Sequence, residues 1–408
     1  MTKITSSPEA HPTAPNESFG AVLPWVLFIS FAFVVNYLTR SIFGPLLPGV
    51  EEELGISHAV STRLLFYLAI GYTISVFLSG PACAKIRPRL LVAGSLICGG
   101  LLFQLIAVTH NHFLLAALFL VFGFATGQYF NASMSVLRSL VRPSQWSKAV
   151  SLNEFGPNTA FILGPILAEF GSAYFGWRGT TSAIGWFSVA AGILFFLFAK
   201  GGDEPVGGSV SFKRMAVILR NKNLWIFSWL IGIAIAGQFA PFSIMTLHMT
   251  EERAIPPDTA AFLLSASRLA MPAGALIGGY LAMRIGTRKT LAICGSVYAV
   301  SLLAMGMPWL TPFLAGLFIQ PLFTAMLFPT LYTLLAEIFP ASRQPLLLGI
   351  GMPVGSFFGV GAMPGILGIF GDKVGFAAGF LAMGVTVAAS LLLLRKLPAV
   401  DDSHSGDA

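Results

Sequence analysis

Gly80-Pro81-Ala82-Cys83-Ala84-Lys85-Ile86-Arg87-Pro88-Arg89 lies between two apolar stretches, and Gly279-Tyr280-Leu281-Ala282-Met283-Arg284-Ile285-Gly286-Thr287-Arg288-Lys289 lies between two more. The leading glycines are 279 − 80 = 199 residues apart. Gly156 with Gly355 and Pro165 with Pro364 keep the same offset. The chain therefore reads as two consecutive copies of one unit. In a membrane, two parallel halves of this kind can rock against each other around a site near the bilayer midplane.

Composition puts the chain in a membrane. Of its 408 residues, 55% are hydrophobic and only 10% charged, with mean hydropathy +0.79. Soluble domains carry about 25% charged residues, so this much apolar surface has nowhere to hide in water. Only helices or closed barrels satisfy backbone polar groups in lipid. The apolar runs here are long and unbroken, as helices need, whereas barrel strands are short and alternate. The fold class expected is an all-α membrane protein with twelve transmembrane helices in two parallel, pseudo-symmetric six-helix bundles.

The twelve spans are expected at about 22–47, 60–81, 90–109, 113–138, 148–171, 179–199, 223–249, 259–283, 289–308, 312–337, 346–370 and 375–395. Spans 1 and 4 exceed the bilayer thickness and so tilt or extend beyond it. This divides the chain into a disordered tail 1–21, an N-terminal bundle 22–200, a linker 201–222, a C-terminal bundle 223–396 and a tail 397–408. The linker begins Gly201-Gly202-Asp203-Glu204-Pro205 and runs into a basic stretch, Phe212 to Lys222, suited to lying on a membrane surface.

The net charge of +7 does not point to nucleic acid, because the basic residues gather at alternate span ends. With the N-terminus inside, 18 of the 24 Lys and Arg fall on the cytoplasmic side. Both termini are therefore expected in the cytoplasm, in the inner (plasma) membrane. Arg63, Arg178, Arg253 and Lys373 fall outside, and Arg40 and Arg268 fall inside spans. Cys83, Cys98 and Cys294 have no paired spacing and are read as packing residues.

Several motifs carry a resemblance to the major facilitator superfamily, and together they cover nearly the whole chain. In that family the turn after span 2 reads Gly-x-Leu-Ala-Asp-Arg-x-Gly-Arg-Arg. The second copy here keeps Gly279, Leu281, Ala282, Arg284, Gly286 and Arg288, with Met283 in place of the acid; the first keeps Gly80, Lys85 and Arg89, with Ala84 in its place. Gly156 and Gly164-Pro165 in span 5, Gly176-Trp177-Arg178 before span 6, and Ala336-Glu337-Ile338-Phe339-Pro340 before Arg343 and Gly349 are similar to family signatures. The resemblance implies alternating access with a central cavity lined by span 1 among others. It also implies a charged gate on the inner face. With both turn acids missing, the gate partners expected instead are Glu337 with Arg284 or Arg343, and Glu154 with Arg138.

Arg40 is the leading candidate for a substrate ligand. Asn36-Tyr37-Leu38-Thr39-Arg40 puts Asn36 and Arg40 on one helix face with Tyr37 beside them. The segment resembles the start of organic-anion members of the superfamily. A buried guanidinium offers a two-pronged fork to a carboxylate or phosphate; the alternative is that Arg40 snorkels to the surface. Arg268 lies near the middle of span 8, too deep to snorkel, with Ser265 on its face. Monocarboxylate transporters carry an arginine in this span, one turn after an aspartate; Leu264 stands there here. The alternative for Arg268 is a structural arginine bonded to backbone carbonyls.

Gln128, Tyr129 and Asn131 on span 4, Gln238 on span 7, and Gln320 and Thr324 on span 10 could line the cavity or simply tie helices together. Glu154 is read as a gate residue or a proton relay, Glu169 as an interface residue, and His248 as a solvated histidine at the membrane surface. The sequence shows no Walker motif, metal cluster or nucleophile–base pairing, and so no enzyme chemistry. The function expected is secondary active transport of a small organic anion by a monomer in the lipid bilayer. No cofactor and no nucleic acid are expected, and the coupling ion expected is a proton. The alternative is a polyspecific exporter of drugs, siderophores or other metabolites, which is disfavoured because spans 1, 4, 7 and 10 carry no acid at depth.

Overall fold

The computed structural model describes residues 18–142, 145–205, 219–339 and 344–397, and among these residues it contains helices and no strand. The helices are Phe19–Leu54, His58–Cys83, Pro88–Val108, His112–Leu140, Trp146–Phe198, Lys222–Glu252, Pro257–Ile285, Thr287–Met305, Leu310–Ile338, Gln344–Ser356 continued through Phe357–Ala362 to Met363–Val374, and Phe376–Lys396. Trp146–Phe198 is two spans. At Gly176 the backbone turns to φ 66°, ψ 171°, a conformation a side chain resists, and the helix direction breaks there. Twelve spans result. Their even number puts both ends of the chain on one side, here called the terminal face. The tails and the middle of the linker, 206–218, lie outside the described residues. Span 1 starts at Phe19 and runs to Leu54, longer at both ends than expected.

The repeat extends from the paired residues to the hydrogen bonds they make. Glu53 accepts hydrogen bonds from Trp177 Nε1 and Arg178 Nε, both 2.6 Å. In the second half Glu252 (252 − 53 = 199) accepts from the backbone N–H groups of Phe376 and Ala377, which stand where Trp177 and Arg178 stand in the first. Gly55 and Ala254 both adopt positive φ just after these acids, and Gly176 and Gly375 do so just before their partners. The turn motif also works alike in both copies. Arg89 donates to the carbonyls of Phe196 and Leu197 at the end of span 6, and Arg288 to that of Leu397 after span 12. In each half a cation thus caps the negative end of the last helix. Glu252→Ala strips acceptors from two backbone N–H groups and from His248; it is expected to cost about 1–3 kcal/mol per donor left bare and to lower the thermal unfolding midpoint in detergent.

The halves meet along three pairs of spans, 1 with 7, 2 with 11, and 5 with 8. Nearly all of span 7 is buried. The closest approaches lie away from the terminal face. A Cβ on Gly44 would sit 2.6 Å from Ser243 Cα, and one on Gly368 would sit 2.1 Å from Thr62 Oγ1. Asp372 receives the backbone N–H groups of His58 and Ala59 at 2.8 and 2.9 Å. Toward the terminal face the contacts thin out. The last of the close ones, Thr73 Oγ1 to the Pro353 carbonyl at 3.4 Å, lies near mid-depth. The molecule is closed on the far face and open toward the terminal one.

Candidate functional site

Arg40 ends the first helical segment of span 1, Phe19–Ser41. The helix breaks at Ile42 and resumes at Phe43. Pro45 explains the break, since it offers no N–H to the Ser41 carbonyl and its ring crowds that group. Arg40 is 8% exposed. Its guanidinium carbon lies 4.6 Å from the Tyr37 ring centre and 4.4 Å from that of Tyr72. Among the described residues it has no carboxylate partner and no hydrogen bond, and its Nε is buried without an acceptor. Two aromatic faces stabilise such a cation only in part, by about 0.5–2 kcal/mol each. The fork itself is unused.

Arg268 sits at a matching break. Span 8 runs as helix over Pro257–Ser267 and again over Met271–Ile285, and Pro272 unsettles the Arg268 carbonyl as Pro45 does that of Ser41. Arg268 is 1% exposed, 5.2 Å from the Phe242 ring and 5.6 Å from that of Phe161. Among the described residues its one hydrogen bond is a long 3.5 Å contact to the Gln238 carbonyl. Its Nε and the Ser265 hydroxyl are buried without partners. Of the alternative, a structural arginine bonded to backbone carbonyls, this one contact to the Gln238 carbonyl is present.

One aromatic cluster joins the two arginines. Tyr37 packs on Phe161 at 5.3 Å and Phe239 at 5.6 Å, and Phe161 on Phe242 at 4.7 Å. Tyr37 lies within electrostatic range of both guanidinium groups. Arg40 belongs to the first half and Arg268 to the second. Their repeat-related positions, 40 + 199 and 268 − 199, hold Phe239 and Ala69. The charges are therefore where the two copies differ.

The cluster faces the open side. Glu154 is exposed although it lies within electrostatic range of both Tyr37 and Tyr332, which come from opposite halves. Tyr332 is itself 40% exposed. Among the described residues neither Glu154 with Arg138 nor Glu337 with Arg284 forms an ion pair. Among the described residues Glu154 has no ion pair, and Arg138 lies 5.1 Å over Trp146 instead. Arg284 lies 5.3 Å over Tyr280, while Glu337 accepts a hydrogen bond from Thr287 at 2.5 Å. The reason is local to each half: Arg138 packs on Trp146, Arg284 on Tyr280, and Glu337 is engaged by Thr287. Arg343 lies outside the described residues.

Most of the other polar candidates turn out to be occupied within their own half. Gln128 donates to Ser75 Oγ at 2.8 Å and Asn131 to Ser79 Oγ at 2.5 Å, which ties span 4 to span 2. Gln320 donates to the Gly237 carbonyl at 2.6 Å, and Thr324 to the Gln320 and Pro321 carbonyls. Tyr129 bonds the Ile29 carbonyl. Asn36 turns toward spans 3 and 4, at 3.3 Å from Ser95 Oγ and 3.4 Å from the Thr126 carbonyl, with its Oδ1 unpartnered. Gln238 alone among these candidates is partly exposed with no hydrogen bond on its side chain. Glu169 is half-buried. His248 is a correction, since it is 1% exposed rather than solvated. It is held by Glu252 at 2.8 Å and Arg253 at 2.9 Å among Phe313, Phe376 and Phe380. Tyr72, Phe161 and Phe242 were not singled out from sequence; nothing in their spacing separates them from the other aromatics, although the prolines just after each arginine were there to be read.

Two six-helix bundles joined on the far face are the architecture of a membrane transporter. The chain belongs to the Major Facilitator Superfamily, whose model matches residues 29–250 and again 228–408. It is 25% identical to AraJ of Escherichia coli (strain K12) over 364 residues, 85% of this chain and 89% of that one. It is 25% identical to the hexuronate transporter of Bacillus subtilis (strain 168) over 179 residues, 44% of this chain and 42% of that one. The crystal structure of a bacterial homolog of the human lysosomal transporter Spinster, in an inward-facing and unoccupied conformation, is similar in fold. Its TM-score is 0.79 at 12% identity, covering 96% of this chain and all of that one.

Proposed function

We propose that the chain is a proton-coupled transporter of small hydroxylated carboxylates of the sugar-acid kind. The terminal face, which carries most of the Lys and Arg, would be cytoplasmic. The observation that carries the reading is the pair of buried arginines, one per half, on one aromatic cluster and without an anionic partner among the described residues. A carboxylate seated between them would fill the guanidinium fork. The apolar face of a sugar ring would rest on Tyr37 and Phe161, and Gln238 would meet its hydroxyls. The partial likeness to a hexuronate transporter supports the same substrate class. Binding between the halves would draw them together on the open side, and Glu154, exposed in the vestibule, is placed to exchange a proton there.

The test is a thermal unfolding series in detergent against hexuronates, aldonates, simple monocarboxylates, neutral sugars and organic cations. A ligand of the folded state at a hundredfold over its Kd adds about 2.7 kcal/mol of stability. Sugar acids are expected to raise the midpoint and neutral sugars of the same size to leave it unchanged. Stabilisation by cations alone would overturn the proposal in favour of an exporter. In vesicles, an acid-outside pH gradient without sodium is expected to drive accumulation of the stabilising acid; accumulation that ignores the gradient would remove the proton from the reading.

A further inference from the structure

On the far face, away from the arginines, a histidine joins the two halves. His58 opens span 2. Its Nδ1 lies 2.8 Å from Glu51 Oε2 and its Nε2 lies 3.1 Å from Glu251 Oε2. Glu51 is at the end of span 1, in the first half; Glu251 is at the end of span 7, in the second. Glu51 is 8% exposed and also accepts the Ser61 hydroxyl, and Glu251 is 45% exposed. Asp372, from span 11, receives the His58 and Ala59 backbone N–H groups. Glu252 is committed to Phe376, Ala377 and His248, and the Phe376 ring lies 4.8 Å from the imidazole. Among the described residues no Lys or Arg pairs with Glu51, Glu251 or Asp372.

Counting hydrogens decides what this arrangement needs. A neutral imidazole carries one N–H and one lone pair, while an ionised carboxylate only accepts. Two ring nitrogens, one hydrogen-bonded to Glu51 and the other at ion-pair distance from Glu251, are best satisfied by one proton more than neutral His58 and two ionised glutamates supply. Without it, an unprotonated ring nitrogen would lie within 3.1 Å of an ionised carboxylate oxygen, and among the described residues no Lys or Arg pairs with Glu51 or Glu251 to offset their charge. When the halves part on this face, Glu251 leaves with the second half. His58 then needs only its single N–H, given to Glu51.

We propose that Glu51, His58 and Glu251 form a proton-binding site that latches the far face shut, so that closure of this face takes up one proton. The inference rests on the two-conformation transport reading above. Acid on the far side would favour the closed far face and the open terminal face, and alkali would favour the reverse. The two conformations bind different numbers of protons, so their ratio must depend on pH. The proton goes to the ring or to one of the carboxyls, and it comes from the medium on the far side, which His58 and Glu251 reach through their exposed edges. The same three residues each offer one ligand atom within 4.8 Å of the others, so a bound metal ion is the rival outcome, and the chelator in the experiment separates the two.

The experiment is a distance measurement between spin labels on Phe113→Cys and Trp309→Cys, at the far ends of the two halves. The full chain would be reconstituted in lipid with Cys83, Cys98 and Cys294 replaced and a chelator present, and titrated across about pH 5 to 8, where histidine changes charge. The wild-type ratio of short to long distances is expected to fall as pH rises, by up to about tenfold per pH unit for one linked proton. Glu251→Gln puts an amide N–H opposite the ring lone pair. It is expected to stay closed at every pH, with less than about a twofold response. His58→Leu leaves two carboxylates unbridged and is expected to favour the open far face throughout. A wild-type ratio that ignores pH, while a stabilising substrate still moves it, would overturn the latch and leave the transporter reading standing. Labels that move with neither would overturn both. A pH response that disappears only in chelator would assign the site to a metal.

Discussion

Arg40→Gln is expected to abolish stabilisation by the substrate anion without lowering the unfolding midpoint of the empty protein. The two halves of that expectation come from the same geometry. In the empty state the guanidinium is 8% exposed, stacked between Tyr37 and Tyr72, with no acceptor for its N–H groups among the described residues. A buried charge without a partner is a burden on the fold, and removing it costs little or relieves strain. In the loaded state the same group would meet a carboxylate away from bulk water. Deleting one member of such a pair costs about 2–5 kcal/mol, so affinity should fall roughly hundredfold or more. Arg40→Lys keeps the charge but loses the two-pronged geometry and the flat stacking face, so it should recover only a small part. A snorkelling or structural arginine would behave in the opposite way, with the empty protein destabilised and relative affinity intact. Titrating the midpoint against the best sugar acid in both variants distinguishes the two. Arg268→Gln should act alike. If one carboxylate bridges both arginines, the double variant should lose less than the sum of the single ones, because the second loss finds no bond left to break.

The long-range plan of the molecule was legible from the chain because it depends on patterns that repeat. A bilayer needs about 20 apolar residues per helix, and the twelve runs stand out between their polar turns. The 199-residue offset seen in Gly80 and Gly279 holds again for Glu53 and Glu252, but the shared role of that second pair was not legible. Glu53 binds side chains of Trp177 and Arg178, whereas Glu252 binds the bare backbone at Phe376 and Ala377, so the partners share no residue type. Burial was the other quantity hidden in the linear chain. His248 sits at a span end, where a histidine meets water by default. Here spans 10 and 12 fold Phe313 and Phe380 over it, with Phe376 alongside. The same holds for the polar cavity candidates. Position along a helix put Gln128 and Asn131 at the right depth, but which way they point depends on Ser75 and Ser79 in a neighbouring span. The arginines were legible because a charge inside an apolar run has no innocuous place to be.

Gly44→Ala with Gly368→Ala is expected to swing the resting protein from terminal-face-open to far-face-open. The hydrogen that each glycine carries in place of a side chain is what lets the halves close on the far side. An added Cβ at 44 would lie 2.6 Å from Ser243 Cα and 3.1 Å from its carbonyl oxygen. These are backbone atoms in the far-face half of span 7, and they cannot swing aside as a side-chain tip would. At 368 it would lie 2.1 Å from Thr62 Oγ1 and 2.7 Å from the His58 carbonyl. Overpacking of this kind costs about 1–3 kcal/mol per site. The cost falls only on the conformation in which spans 1 and 7, and spans 2 and 11, are pressed together. Once those pairs separate, the methyl groups have room. One such penalty corresponds to roughly a 5- to 150-fold change in the ratio of the two conformations. The two contacts lie on different pairs of spans, so their effects should come close to adding. The label pair at 113 and 309 should lengthen in the double variant, with little loss in unfolding midpoint, since the strained state is the one abandoned. If the distance stays short and the midpoint drops instead, the methyl groups are being forced into a join that never opens. The far-face contacts would then be part of a fixed core rather than a gate. Because Gly368 also presses on the carbonyl of His58, opening by these substitutions should silence the pH response of the latch as well.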